Sequence, residues 1–198
     1  MLYQTENQHG GDVYGGGITL DFSANTNPLG TPPGVLEAVC RALPQLYRYP
    51  DPYCRRLVQA IAVHEQVPAS YILCGNGAAD LIYAYCTALR PRTAVELAPT
   101  FVEYGSGLAQ AGCRVERYFL HQAQNFDLDE RFLSFLEEKK PEVVFLCNPN
   151  NPTGRLIPLP LLEQILQYCA AQGAHLFLDE CFLDLTEDGV SAKSLLAA

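Results

Sequence analysis

The sequence predicts an α/β fold: a mostly parallel central sheet with helices on both faces, behind an irregular amino-terminal arm. Two patterns carry this. Beyond Pro68, short apolar runs alternate with helical patterns of about ten residues, and strands separated by helices need crossover connections, which give parallel pairing and covered sheet faces. Up to Pro33, by contrast, Gly10-Gly11, Gly15-Gly16-Gly17, Pro28, Gly30 and Pro32-Pro33 interrupt every periodic pattern except one short candidate strand, Ile18 to Phe22.

The elements follow in order. Val35, Leu36, Val39 and Leu43 keep helical spacing, and Pro44 closes that helix. A second helix runs from Tyr53 to about Glu65, where Leu57, Ile61 and His64 share a face. Strands are then expected at Tyr71 to Cys74, Ala94 to Ala98, Val115 to Leu120, Val143 to Cys147 and Leu176 to Asp179. The helices between them span Ala78 to Leu89, Val102 to Ala111, Asp129 to Glu138 and Leu161 to Ala171. Residues 1–45 form the arm and first helix, and residues 46–198 form part of a larger domain.

Composition excludes several function classes. With 48% hydrophobic and 18% charged residues in 198, the chain can bury a core and is neither disordered nor of low complexity. Thirteen basic against 22 acidic side chains leave a net charge of -9, and no basic run gathers the few cations, so nucleic acid is not an expected partner. No apolar run is long enough to span a bilayer, and the amino terminus has no basic region followed by an apolar stretch, so a cytoplasmic protein without membrane contact is expected. Eight cysteines without a Cys-x-x-Cys pair read as small buried hydrophobes in a reducing compartment, with no metal site.

In parallel sheets the ligand sits beyond the carboxyl ends of the strands, so chemistry is sought there. Cys74-Gly75-Asn76-Gly77-Ala78-Ala79-Asp80 turns directly into a helix, and its small residues let backbone N–H groups reach an anion at the positive helix end. A tight turn that merely needs glycine angles explains the same residues. Ala98-Pro99-Thr100-Phe101-Val102-Glu103-Tyr104 places two aromatic rings one helical turn apart, able to offer a ring to a flat ligand, although such a pair taken alone is more often core. Cys147-Asn148-Pro149-Asn150-Asn151-Pro152-Thr153-Gly154 exposes carboxamides on a backbone stiffened by prolines, and nothing in core packing requires three asparagines there. Leu176-Phe177-Leu178 ends in Asp179-Glu180, a carboxylate that either caps a turn or faces a buried cation.

Taken together, these four strand ends resemble the fold type I pyridoxal-phosphate enzymes, specifically the class I/II aminotransferase family and the large cofactor-binding domain of that fold. The Asn-Pro-Asn-Asn-Pro-Thr-Gly stretch with a downstream Asp-Glu carries most of the resemblance. It implies pyridoxal 5'-phosphate as cofactor, its phosphate on the amides of Gly77, Ala78 and Ala79, Tyr104 stacked on its ring and Asn151 donating to its phenolic oxygen. Asp179 is implied to pair with the ring nitrogen, as an anion that keeps the nitrogen protonated and the ring an electron sink. Tyr49, in Arg48-Tyr49-Pro50-Asp51, is implied to reach the phosphate held by the neighbouring subunit of a homodimer.

Within the family, His9-Gly10-Gly11-Asp12, the segment from Asp21 to Gly30, and Phe182 resemble the threonine-phosphate decarboxylase branch of cobalamin biosynthesis. That branch implies a phosphorylated amino acid substrate with His9 and Asn27 nearby; a solvated or capping role remains the plain alternative for His9. Phe182 removes the tyrosine hydroxyl that helps hold the phenolic oxygen in many aminotransferases. Histidinol-phosphate aminotransferases share most of these motifs and are the nearest rival.

The family places its Schiff-base lysine in a Ser-x-x-Lys context well beyond the aspartate, and its substrate arginines and small carboxyl-terminal domain further on. The expectation is therefore a chain that stops before the lysine, without the small domain, and is inactive by itself. Lys139 and Lys140 in Glu-Glu-Lys-Lys-Pro complement a helix dipole, and Lys193 follows Asp179 too closely. Two other classes remain open: a noncatalytic relative that binds the cofactor or a partner, and a nucleotide-binding domain using Gly75 to Asp80. The second leaves Asn151 and Asp179 unexplained.

Overall fold

A computed structural model describes residues 10, 11, 13, 14 and 17–196, in two compact units divided between Ile72 and Leu73. The first unit carries α1 (Pro33–Ala42), which continues into a 3-10 turn at Leu43–Gln45, then α2 (Arg55–Glu65) and a 3-10 turn at Ala69–Tyr71. The division falls later than the 45/46 boundary read from the sequence. α2 closes locally, with Gln66 in the left-handed region and the Val67 N–H donating to the Ala62 carbonyl at 3.2 Å.

Two expected strands do not form. At Ile18 to Phe22 the chain is exposed and irregular, because the Asp21 carboxylate accepts from both the backbone N–H and the hydroxyl of Ser23 and turns the backbone locally. At Tyr71 to Cys74 the amides of Tyr71 and Ile72 are spent on the carbonyls of Pro68 and Ala69, so the segment closes a turn instead of joining a ladder.

The second unit holds α3 (Ala78–Leu89), β1 (Thr93–Ala98), α4 (Val102–Gln110), β2 (Arg114–Phe119), α5 (Arg131–Lys139), β3 (Val143–Cys147), α6 (Leu159–Gln172) and β4 (His175–Asp179). These match the sequence expectation to within two residues at nearly every end. All strand pairs are parallel, in the order β2-β1-β3-β4. Alternate residues divide between two faces. Val95, Leu97, Val144 and Leu146 pack against Phe132 and Leu136 of α5 and Leu162 and Ile165 of α6. Ala94, Val143, Phe145 and Cys147 pack against Ile82 and Cys86 of α3 and Tyr104 and Leu108 of α4. Helices therefore cover both faces, as predicted.

β1 lies between β2, which follows it, and β3, which comes from the far side, so the strand order reverses between β1 and β3. Connections leaving these two strands diverge and open a crevice at their carboxyl ends. α3 reaches β1 through only Arg90–Arg92, which sets its carboxyl end at the opposite edge and its amino terminus at the crevice edge. α5 likewise enters β3 through residues 140–142, which carries Lys139 and Lys140 to the edge away from the crevice.

One charge sits mid-strand on the face under α3 and α4. Glu96, only 4% exposed, sits in the middle of β1 with the half-exposed Arg117 of β2 as its partner, Nε to Oε1 2.8 Å. Its Oε2 is buried with no hydrogen-bond partner among the described residues. α4 crosses here at Gly105, where a Cβ would stand 3.1 Å from Glu96 Oε1 and 3.3 Å from Oε2. Burial raises the Glu96 carboxyl above its ordinary 4.5, and Arg117 offsets part of that rise. The folded chain thus binds this proton more tightly than the unfolded chain, so Glu96 costs stability as pH rises from about 4.5 through the folded-state value. Thermal unfolding between pH 4 and 7 checks this: wild type loses ground against Glu96→Gln with rising pH, and the gap stops widening once the carboxyl is fully ionised.

Candidate active site

Three strand ends meet at the crevice. β1 leads into Pro99-Thr100-Phe101, β3 into the asparagine loop, and β4 into Asp179-Glu180, with Cys147 and Asp179 in register across β3 and β4. The Asn148 N–H donates to the Asp179 carbonyl at 2.8 Å and extends that pairing one residue beyond β3.

The asparagines divide by role. Asn148, 2% exposed, accepts at Oδ1 from the Ile157 N–H at 2.8 Å. Asn150, 3% exposed, binds across the crevice: Nδ2 donates to the Pro99 carbonyl and Thr153 Oγ1, both at 3.0 Å, while Oδ1 accepts from Thr100 Oγ1 at 2.8 Å. Its backbone closes the loop as well, N–H to the Arg155 carbonyl at 2.9 Å and carbonyl to the Gly154 N–H at 2.7 Å. Arg155 is pinned in turn by Asp127, Nε to Oδ1 2.6 Å. Core packing thus does require two asparagines here, contrary to the sequence reading. Asn151 differs: it is half-buried and its carboxamide has no hydrogen-bond partner among the described residues.

Asp179 is half-buried, with a donor on each oxygen and the Cys181 thiol also beside it, a thiol pushed up to about 12 by burial first and then by this carboxylate. The Cys181 N–H reaches Oδ1 at 2.9 Å and the Tyr104 hydroxyl reaches Oδ2 at 2.8 Å. Tyr104 is fully buried, its ring 5.5 Å from Phe145, 6.3 Å from Phe177 and edge-on to Phe101 at 5.5 Å. The three phenylalanines enclose that ring in this structure. Phe101, half-buried at the start of α4, is the aromatic ring nearer the surface. Burial also lifts the Cys147 thiol above its usual range, beside the Tyr104 hydroxyl, so it stands as a neutral group donating to the Pro149 carbonyl at 3.2 Å.

The α3 amino terminus supplies the third part. Gly77 has φ +85°, which favours glycine, and nothing lies within 4 Å of where its Cβ would stand. The Asp80 carboxylate folds back onto the Asn76 N–H at 2.9 Å, and the amides of Gly77, Ala78 and Ala79 have no partner among the described residues. These are exposed N–H groups at the positive end of a 12-residue helix.

In the first unit, Asn27 closes its own turn, Nδ2 to the Gly30 carbonyl and Oδ1 to the Leu29 N–H, both at 3.0 Å, and Tyr49 is 98% exposed. His9 lies outside the described residues. Lys139 pairs with Glu138 at 2.8 Å, and Lys193 sits in a 3-10 turn at Ala192–Leu195 that Glu180 holds through Ser191 and the Ala192 N–H. The cysteines are all free, but only Cys86, Cys147 and Cys169 are buried; Cys40 and Cys181 are exposed. Among the described residues no cluster suited to a metal ion occurs, and no helix is long and apolar enough to cross a membrane. Sequence reasoning missed Thr100 and Asn150 as crevice partners and Tyr104 as the partner of Asp179, because contacts across 50 to 75 residues leave no local pattern.

The model of the aminotransferase class I and II family matches residues 18–197. The chain belongs to this family. Threonine-phosphate decarboxylase of Salmonella typhimurium is 46% identical over 167 residues, covering 83% of this chain and 45% of that protein. Histidinol-phosphate aminotransferase of Desulfitobacterium hafniense is 34% identical over 179 residues, covering 87% and 48%. The chain spans about half the length of the curated relatives it matches. Among solved structures, a decarboxylase from Sulfurospirillum multivorans superposes with TM-score 0.67 at 27% identity, covering 82% of this chain and 46% of that one. Histidinol-phosphate aminotransferase from Sinorhizobium meliloti, solved in complex with pyridoxal-5'-phosphate, superposes with TM-score 0.73 at 24% identity over 84% and 45%, a likeness of fold. Pyridoxal phosphate is the cofactor of this family.

The two neighbouring asparagines separate experimentally. Asn150→Ala strands the Pro99 carbonyl and two threonine hydroxyls and costs about 2 to 3 kcal/mol, whereas Asn151→Ala stays within about 0.5 kcal/mol of wild type in urea unfolding.

Proposed function

We propose that the protein carrying this chain is a pyridoxal-phosphate enzyme that decarboxylates L-threonine O-3-phosphate to (R)-1-aminopropan-2-ol O-phosphate in cobalamin biosynthesis. The observation that carries the reading is the 46% identity to a threonine-phosphate decarboxylase, against 34% to 36% for several histidinol-phosphate aminotransferases over similar lengths.

The residues fit the cofactor. Gly77, Ala78 and Ala79 offer three unspent amides to a phosphate dianion where the helix dipole favours it. Asn151 has both carboxamide hydrogens free for the phenolic oxygen. Each oxygen of Asp179 accepts one hydrogen bond and keeps capacity for another, so the carboxylate can take up the proton-bearing ring nitrogen. Phe182, half-buried ahead of a 3-10 turn at Leu183–Leu185, brings no hydroxyl, so Asn151 serves the phenolic oxygen without that help.

When bound, the cofactor supplies an electron sink for the pair released as a bond to the substrate α-carbon breaks. The chain's part is to hold that sink: α3 fixes its phosphate end, Asn151 its phenolic edge, and Asp179 the proton on its nitrogen. None of these selects which α-carbon bond breaks; that depends on which bond the site turns perpendicular to the ring. His9 and Asn27 are proposed near the phosphorylated substrate, and Tyr49 at the phosphate held by the other subunit of a homodimer.

A histidinol-phosphate aminotransferase-like activity is the second reading, supported by the many relatives of that name. The protein carrying this chain, given pyridoxal phosphate and L-threonine O-3-phosphate, releases carbon dioxide; a 2-oxo acid in its place supports transamination. For the 198-residue chain itself, cofactor binding followed by fluorescence weakens about tenfold or more in Asn151→Ala and in Asp179→Ala. Borohydride reduction leaves Lys139, Lys140 and Lys193 unlabelled, and a stoichiometric label on any of them overturns the assignment of these lysines.

A further inference from the structure

A cavity of about 210 Å3 lies apart from the crevice, between the start of α6 and residues 188–190. Gly77, Asn151 and Asp179 are not on its wall. Most of that wall is aliphatic, from Leu156, Leu159, Leu162 and Val190. One buried polar side chain interrupts it. Asn148, 2% exposed, gives its Oδ1 to the Ile157 N–H at 2.8 Å, and its Nδ2 has no partner among the described residues. That nitrogen is still not sealed off, since among the described residues the sealed side-chain atom without a partner is Glu96 Oε2. In a residue so nearly buried, the space that Nδ2 meets is the cavity that Asn148 lines.

The wall sorts ligands by charge. Nδ2 can only donate, and the Leu159 N–H on the same wall, first in a 14-residue helix, has no acceptor among the described residues and stands at the positive helix end. Both suit a carboxylate. Asp188, exposed at the cavity and without a partner among the described residues, offers the opposite charge. An anion alone is repelled by Asp188, and a cation alone leaves the two donors unused. A molecule with both charges and a short aliphatic body meets every group. We propose that the cavity is a binding site for a small aliphatic α-amino acid, with its carboxylate on Asn148 Nδ2 and the start of α6, its ammonium on Asp188 and its side chain among the leucines and Val190. The size agrees: a cavity of about 150 Å3 takes benzene, so this one holds roughly eight non-hydrogen atoms, as many as valine has.

The test titrates L-valine into the full chain labelled with nitrogen-15 and follows the Asn148 carboxamide and the Leu159 amide by NMR. Isovalerate and isobutylamine, each valine without one of its charges, are titrated alongside. L-Valine moves these resonances saturably with a Kd on the order of 1 mM, and each single-charge ligand binds about tenfold more weakly. Asp188→Asn weakens L-valine about tenfold and leaves isovalerate no weaker than before, because it removes the partner of the ammonium and the repulsion of the carboxylate together. Val190→Trp fills the cavity from an exposed position and abolishes the shifts. Both substituted positions are exposed, the other resonances report that each variant is folded, and the single-charge ligands need no variant. No saturable shift at Asn148, a shift that Val190→Trp leaves in place, or L-valine unweakened in Asp188→Asn overturns the proposal. Isovalerate or isobutylamine bound to wild type as tightly as L-valine overturns the amino acid as ligand. L-Valine binds equally with pyridoxal phosphate present, and competition between the two overturns a site apart from the crevice.

Discussion

The crevice depends on one side chain that bridges it from below. Where β1 and β3 part, the strand order forces their connections in opposite directions, and the backbone beyond each strand loses its ladder partner. Asn150 makes good that loss with three side-chain hydrogen bonds to the Pro99–Thr100 segment and Thr153. A carboxamide suits the position because it offers two donors and an acceptor in one plane, and the buried groups it meets are a carbonyl and two hydroxyls. Aspartate has the shape but not the donors; leucine has neither. With Asn150 spent on the scaffold, Asn151 is left with its carboxamide unpartnered among the described residues.

The face of the sheet under α3 and α4 carries two carboxylates in an otherwise apolar layer, and the layer handles them differently. Glu96 lies mid-strand, where burial is nearly complete, and it is met by a guanidinium that reaches in from the half-exposed Arg117. One of its oxygens stays unsatisfied, and its protonated form is favoured accordingly. Asp179 lies at the strand end, half-exposed, and is met by neutral donors. A cation beside Asp179 from within the chain would satisfy its charge; a hydroxyl and an amide orient it and leave its charge uncompensated. That is the arrangement a carboxylate needs if it is to receive a cation from outside.

Most of the second unit was legible because each of its helices and strands repeats its own period over enough residues. α3 (Ala78–Leu89) and β3 (Val143–Cys147) begin and end where the pattern puts them. The strands expected at Ile18 to Phe22 and Tyr71 to Cys74 were apolar enough, but a strand needs a partner, and both segments spend amides or side chains on local turns. In the site, the glycine turn and Asp179 could be read from residue type at a strand end. Tyr104 could not. Its helical spacing from Phe101 fits a core position more often than a ligand platform, but its hydrogen bond to Asp179, 75 residues away, leaves no local pattern.

The depth of α4 against the sheet follows from Gly105 and Gly107. Gly105 lets the helix pass over the Glu96 carboxylate, and at Gly107 a Cβ would stand 3.2 Å from Ile82 Cγ2 on α3, so the helices meet without a side chain between them. Close helix packing carries Tyr104 down onto Phe145 and Phe177, far enough for its hydroxyl to reach the end of β4. A bulkier α4 would hold the tyrosine higher, where it could cover a ligand but not bind the aspartate. The two glycines therefore let α4 lie low enough for the Tyr104 hydroxyl to reach the Asp179 carboxylate.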